Sequence, residues 1–164
     1  MHTRILKPRH GPTLVVRPLR RGDVRTVMAV FERLSEASRR TRFNGPKPCL
    51  ESSELRRLAA VDANHHALVA YVEGDPLPVA IARLVRDGRS AEIAFAVADD
   101  YQHRGVGSAL AAELIADARA AGITEITALA SSDNPAAVKL LRRTTNVLDV
   151  RFDGADLTIR SAIA

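Results

Sequence analysis

Between residues 67 and 97 the chain alternates three apolar runs with two turn signals, and this pattern constrains the fold more than any other. Residues 67–72 (ALVAYV) form a continuous apolar run too short for an ordinary helix, which fits a buried strand. Gly74, Asp75 and Pro76 supply a turn, residues 79–85 a second strand, Asp87-Gly88 a hairpin turn, and residues 90–97 a third strand. Three strands in succession with short connections must lie antiparallel, and the rest of the chain must cover them.

The flanks change period. Residues 13–17 read as a short strand that Pro18 ends or confines to a sheet edge. Asp23 fits the N-cap of a helix whose buried stripe is Val27, Val30, Phe31 and Leu34. Residues 35–50 read as irregular, with Gly45, Pro46 and Pro48, and Ser52 as the cap of a second helix that turns Leu55, Leu58 and Ala59 inward. Downstream, residues 108–121 carry Leu110, Ala111, Leu114, Ile115 and Ala118 on one helical face, and Gly122 stands where a left-handed terminator belongs. Residues 123–130 form a strand. Asn134-Pro135 opens a further helix, with Asn as the cap and Pro in the first turn. Two strands, 147–152 and 157–163, close the chain around Asp153-Gly154. The expectation is one mixed α/β (α+β) domain over residues 13–164, a mostly antiparallel central sheet flanked by helices. Residues 1–12, with Pro8, Gly11 and Pro12, form a loosely held arm in front of it.

A chain of 164 residues is the size of one domain, and its 46% hydrophobic content suffices for a core. Cys49 is the sole cysteine, which excludes an internal disulfide and points to a reducing, cytoplasmic setting. Charges and prolines interrupt the N-terminal segment, so neither a signal peptide nor a membrane span is expected. The net charge of +5 suits an anionic partner. Nucleic acid is disfavoured, because aromatic residues make up 4% and Trp is absent, leaving no base-stacking surface. A phosphate-rich cofactor fits the same bias, and so does a surface simply solvated by arginines. Five histidines and one cysteine show no metal-ligand spacing, so no metal is expected.

The segment with the most chemistry is Gln102-His103-Arg104-Gly105-Val106-Gly107, between a strand and the long helix. Its glycines let the backbone turn tightly and bring N–H groups close to a ligand. The helix start adds unpaired N–H donors and partial positive charge, Arg104 adds a full charge, and Ser108 adds a hydroxyl. Neither GxxxxGK[ST] nor GxGxxG with a distal acid is present, which disfavours an ATPase or a nicotinamide enzyme.

The segment AEIAFAVADDYQHRGVGSALAAELIADARAAGI resembles the signature region of the GNAT superfamily of acyl-CoA-dependent N-acyltransferases. There a strand ends in a pattern like Q/R-x-x-G-x-G/A before a helix, and Gln102, Gly105 and Gly107 fill those positions. Asn134 to Leu140 (NPAAVKL) resembles the family's N-x-x-A-x-x-L helix, and the order of elements matches from Thr13 to about Ile163. Upstream, RPLRRGD, LSEASRRTRF and VDANHHALVAYV resemble the GNAT domain of bacterial protein lysine acetyltransferases. The resemblance implies acetyl-CoA as co-substrate, bound by Gln102, His103, Arg104, Gly105, Val106, Gly107 and Ser108, by the backbone of Phe95, Ala96 and Val97 along the pantetheine arm, and by Asn134. It implies a primary amine as acceptor, a protein lysine in the narrower group. A small-molecule amine and a non-catalytic acyl-CoA sensor remain the alternatives, as do a monomer and a homodimer.

A lysine arrives protonated, with a pKa of about 10.4, so a base must accept its proton. In the similar lysine acetyltransferases a glutamate in an A-E-x-A-F segment is the expected base, which here is Glu92 in Ala91-Glu92-Ile93-Ala94-Phe95. His65 and His66 are rivals, although adjacent strand residues point to opposite faces. The Val97 N–H is the expected oxyanion donor. Two features depart from the family: Leu141 stands where many members have the tyrosine proposed to protonate the thiolate, and the Gly-Phe expected a few residues later is absent, the run being RRTTNV. Tyr101 is not assigned that role; Ser131 and Asn134 are candidate donors near the sulfur. Arg39, Arg40 and Arg42 either attract an acidic surface or solvate a loop.

Overall fold

The structure is a computed structural model that describes residues 2–163, so positions 1 and 164 of the expected arm and domain lie outside it. Eight strands form one sheet in the order β1-β2-β3-β4-β5-β6-β8-β7. The meander expected between residues 67 and 97 is its centre: β3 (His65–Val72), β4 (Ala80–Asp87) and β5 (Ser90–Val97) pair antiparallel in succession. β2 (Leu14–Pro18) pairs with β3, and β8 (Asp156–Ala162) lies between β6 (Glu125–Ser131) and β7 (Asn146–Asp153). β5 and β6 are the one parallel pair among the described residues.

Helices cover both faces. α4 (Val106–Ala120) buries Leu110, Ala111, Leu114, Ile115 and Ala118 against one face, and Gly122 follows its end at φ 79°. α5 (Pro135–Thr144) packs beside it, with Asn134 accepting from the Ala137 N–H as its cap. The opposite face of β2–β5 carries α1 (Val24–Glu32), α2 (Glu36–Phe43) and α3 (Ser52–Leu58). Asp23 caps α1, accepting from the backbone and hydroxyl of Thr26 at 3.0 and 2.7 Å.

The structure differs from the sequence reading in four places. The arm is not loose: Arg4–Leu6 form β1, paired with β2, and Arg4 bridges to Glu113 and Asp117 of α4. Residues 35–50 are not wholly irregular, because residues 36–43 form α2. That helix buries no residue completely and carries no apolar stripe, so hydrophobic period could not reveal it. Its end signals were present: the Ser35 cap, Glu36 in the first turn, and Arg40 and Arg42 in the last. The cap of α3 is Glu51 rather than Ser52; its N–H donates to the Glu54 carboxylate at 3.1 Å. α4 starts at Val106, two residues before the expected start, because Gly105 itself takes the cap position.

Candidate active site

The parallel pair opens into a gap. β5 and β6 pair from Ser90 with Glu125 to Ile93 with Ala128, and then continue to Val97 and Ser131 without pairing each other. The Ala98 N–H donates to the Val79 carbonyl at 2.8 Å. Backbone groups alternate along a strand, so Ala94 and Ala96 turn their main chain to β4, while Phe95 and Val97 turn theirs to the gap. Of the three backbone positions expected along a pantetheine arm, the structure therefore brings Phe95 and Val97 to the gap. Ala96 faces β4, with its side chain buried under α1–α3.

The glycine loop lies at the mouth of this gap. Residues 99–101 form one 3-10 turn; His103 and Gly105 then take left-handed conformations at φ 58° and 77°, and α4 begins. Among the described residues, the N–H groups of residues 103–108 have no hydrogen-bond partner in the protein, and the first regular bond is Ala109 N–H to the Gly105 carbonyl. Six successive free donors at the start of a fifteen-residue helix form a strong anion cradle, and they fit a pyrophosphate. Arg104 is exposed, 5.7 Å from the Tyr101 ring centre. Gly107 lies against the Val97 side chain, which joins cradle to gap.

Neighbouring segments hold the loop. A Cβ at Gly11 would overlap the Arg104 carbonyl, so the β1–β2 connection rests directly on the loop, with Pro8 and His10 beside Gly105. The Gln102 side chain donates to the Val97 carbonyl and the Ser38 hydroxyl, each at 3.0 Å, and so ties loop, strand and α2 together. Asp99 accepts from the Ser35 N–H at 3.0 Å. Tyr101 donates to Asp75, which also pairs with Arg33 at 2.9 Å. The Arg33 guanidinium, the Leu77 N–H and the Tyr101 hydroxyl hold the Asp75 carboxyl down at about 2. Bonding to Asp75 raises the Tyr101 hydroxyl. Sequence reasoning missed Gly11, Ser38 and Asp99; for Gly11 the signal was a glycine beside prolines with no turn partner of its own.

Glu92 is exposed on the face that carries α1–α3, one position before the last β5–β6 pair, and has no hydrogen-bond or ion-pair partner among the described residues. Its row across the sheet reads His65, Val85, Glu92, Thr127, Arg160 and Asp149. The rival histidines separate. His65 shares this face but stands two strands away, roughly 10 Å, with its ring on Asp62 at 2.8 Å. His66 points to the other face and bonds Asp117 of α4 at 2.9 Å. Leu141 is buried in the core at 1% exposure, so that position presents no acid to the gap. The Asn134 side chain caps α5, and the Ser131 hydroxyl donates to Asp133. A surface trough of about 510 Å3 runs along residues 145–150, two strands from the gap. Among the described residues, no helix is long and apolar enough to cross a membrane. No cluster of three potential metal ligands occurs among the described residues.

The profile of the Acetyltransferase (GNAT) family matches residues 30–145, which include the gap, the cradle and α2. The chain belongs to that family. Acetyltransferase Pat of Mycolicibacterium smegmatis is 39% identical over 140 residues, 82% of this chain and 41% of Pat. Acetyltransferase PA5475 of Pseudomonas aeruginosa is 32% identical over 131 residues, 77% of this chain and 70% of that protein. The GNAT domain of S. lividans PAT superposes with a TM-score of 0.86 at 27% identity, covering 98% of this chain and 96% of that domain. The chain thus spans less than half the length of the Mycolicibacterium relative and nearly all of the S. lividans domain.

Proposed function

We propose that this GNAT domain transfers the acetyl group of acetyl-CoA to a primary amine. One juxtaposition carries the reading: six unpartnered amides at the start of α4 open onto an unpaired gap between parallel strands, with a free carboxylate beside it on one face. In this reading the amides of residues 103–108 and Arg104 hold the pyrophosphate. Phe95 and Val97 align the pantetheine through their backbone, and the Val97 N–H stabilises the developing oxyanion. Glu92, directly or through one water, accepts the proton an amine must lose before it attacks. Gln102 acts here indirectly, by fixing Val97 and α2. A thiol of pKa about 8.5 leaves without a strict need for an acid, which suits a chain with Leu141 in its core.

The acceptor class favoured is a protein lysine. The upstream segments RPLRRGD, LSEASRRTRF and VDANHHALVAYV, which resemble protein lysine acetyltransferases, support it. The buried Leu141 favours a second reading, a domain that binds acyl-CoA without turning it over. Residues 13–164 would carry either activity, with residues 1–12 supporting the cradle.

Calorimetric titration with acetyl-CoA tests the site. Gly105→Glu forces a side chain onto a left-handed backbone and places a carboxylate at the cradle. Binding by the wild type that this variant abolishes supports the assignment; equal binding by the two removes it. Acetyl-CoA binding without transfer to any amine would favour the second reading.

A further inference from the structure

The three arginines of α2 do different things. Arg39 is a staple: its guanidinium donates to the carbonyls of Phe31 and Pro48 and lies 4.1 Å from the Phe31 ring centre. Arg40 faces solvent. Arg42 turns inward. Its guanidinium sits over the Phe43 ring at 4.9 Å, beside a narrow cavity of about 20 Å3 that it lines with Arg83, Ile81 and Ala96.

Among the described residues, neither inward cation has a carboxylate partner. Arg83 is 7% exposed and donates to the carbonyls of Arg57 and Leu58 at the end of α3. Arg42 has no hydrogen bond or ion pair among the described residues; the charges acting on it are Arg83, Glu92 and Arg57. Burial, then the Arg83 charge, lowers the Arg42 guanidinium to about 10, so it remains protonated at neutral pH. Arg83 pairs with Ala94, one step along the same face from Glu92. Two cations drawn out of water, with one free carboxylate nearby, leave a net positive wall beside the proposed base. An unpaired charge in such a place is costly unless something else supplies the counter-ion.

We propose that Arg42, backed by Arg83, reads a carboxylate on the acceptor, so that the preferred substrate is an amine with a carboxylate beside it. This rests on the transfer reading above, with Glu92 on the acceptor face. The cavity holds no more than about one water, so the carboxylate meets the guanidinium outside it, where Arg42 keeps part of its surface. Two sources share this chemistry: an acidic side chain flanking a protein lysine, and the α-carboxylate of a free amino acid.

Two pairs of acceptors separate the sources: capped lysine peptides with Glu or Gln beside the lysine, and Nα-acetyl-lysine with its carboxamide. The wild type is expected to favour the carboxylate member of one pair by about tenfold in kcat/KM, as one charge-assisted hydrogen bond allows. Arg42→Gln should bring that ratio close to one, and Arg42→Lys should keep part of it. Should Gln lower Tm, Arg42→Met repeats the comparison with the apolar packing retained. Equal use of both members in both pairs overturns the proposal, as does a preference that survives in Arg42→Gln. If none of the four is acetylated, calorimetric titration of the CoA-loaded protein with the same compounds reads the same ratio as binding, and equal affinities overturn it. Failure of the transfer reading is visible separately, as acetyl-CoA binding with no transfer to any amine, and failure of the base assignment as turnover unaffected by Glu92→Gln.

Discussion

The two halves of the candidate site are made of different material. On the cofactor side, residues 95–108 offer main chain: free amides at the start of α4, a positive-φ glycine, and a strand edge left unpaired. On the acceptor side, Glu92, Arg42 and Arg83 offer side chains, set on a sheet face and on a helix that buries none of its residues completely. Main-chain chemistry needs particular backbone conformations, and those need glycine at fixed intervals, so Gly105 and Gly107 announce it in the sequence. Side-chain chemistry needs only that Arg42 be brought to the sheet face that carries Arg83 and Glu92, which no local pattern records.

The contrast predicts separable defects, the largest at Glu92. Replacing it with Gln removes the proposed base but touches no cofactor contact, so kcat should fall by about 100-fold or more. The acetyl-CoA KM should stay within about threefold of wild type. Steady-state kinetics at saturating acceptor reads both. A KM that moves with kcat would mean that Glu92 belongs to the cofactor half after all.

A smaller effect is expected at Gly11, which asks whether the cofactor half ends at its glycine loop. A methyl group there collides with the Arg104 carbonyl and must push the loop or the β1–β2 connection aside. Gly11→Ala should raise the acetyl-CoA KM by about tenfold, the cost of misplacing a bound group by a fraction of an ångström, with a lesser change in kcat. An unchanged KM would show that the connection yields and the cradle stands without it.

Gln102 links the halves, so its loss should blur the distinction. Gln102→Ala removes two hydrogen bonds, each worth about 1 kcal/mol, to Val97 and to Ser38. Both the acetyl-CoA KM and the acceptor KM should rise, by about three- to fivefold each. A rise confined to acetyl-CoA would place Gln102 wholly in the cofactor half, in direct contact with the ligand.

The same division explains what the sequence made legible. The meander, α4 and its terminator, the Asn134 cap and the glycine turn at residue 105 all follow from period, glycine and capping signals, and all stand within a few residues of where those signals put them. β1 is three residues long and held by Arg4 pairing with Glu113 and Asp117, more than 100 positions away. α2 has no apolar stripe: it is held by one ring, Phe43 against Phe31, and by ties such as Asn44 with Asp156 and Ser38 with Gln102. Stability that comes from long-range polar contacts leaves no local trace. Arg42 shows this most clearly: three arginines within four positions are alike as sequence, and only the turn of the helix sends one inward.

The smallest expected effect lies outside both halves and tests how far the cofactor loop depends on its scaffold. Asp75 holds Arg33 at the end of α1 and Tyr101 just before the loop, and its carboxyl is lowered from 3.8 to about 2, chiefly by the bond from Arg33. A depressed carboxyl stabilises the folded state fully above the unfolded pKa, and that contribution is lost as pH falls through the folded value. The window here is between about pH 4 and pH 2. Asp75→Asn should therefore be less stable than wild type at pH 6, by about 1 kcal/mol for a pair at the surface. The two proteins should converge in urea denaturation as the pH approaches 2. Acetyl-CoA KM at neutral pH should change by no more than about twofold, because Gln102, Asp99 and Gly11 still hold the loop. A larger loss of affinity would mean that Tyr101 sets the cradle geometry directly, and that the main-chain half of the site depends on a side-chain network of its own.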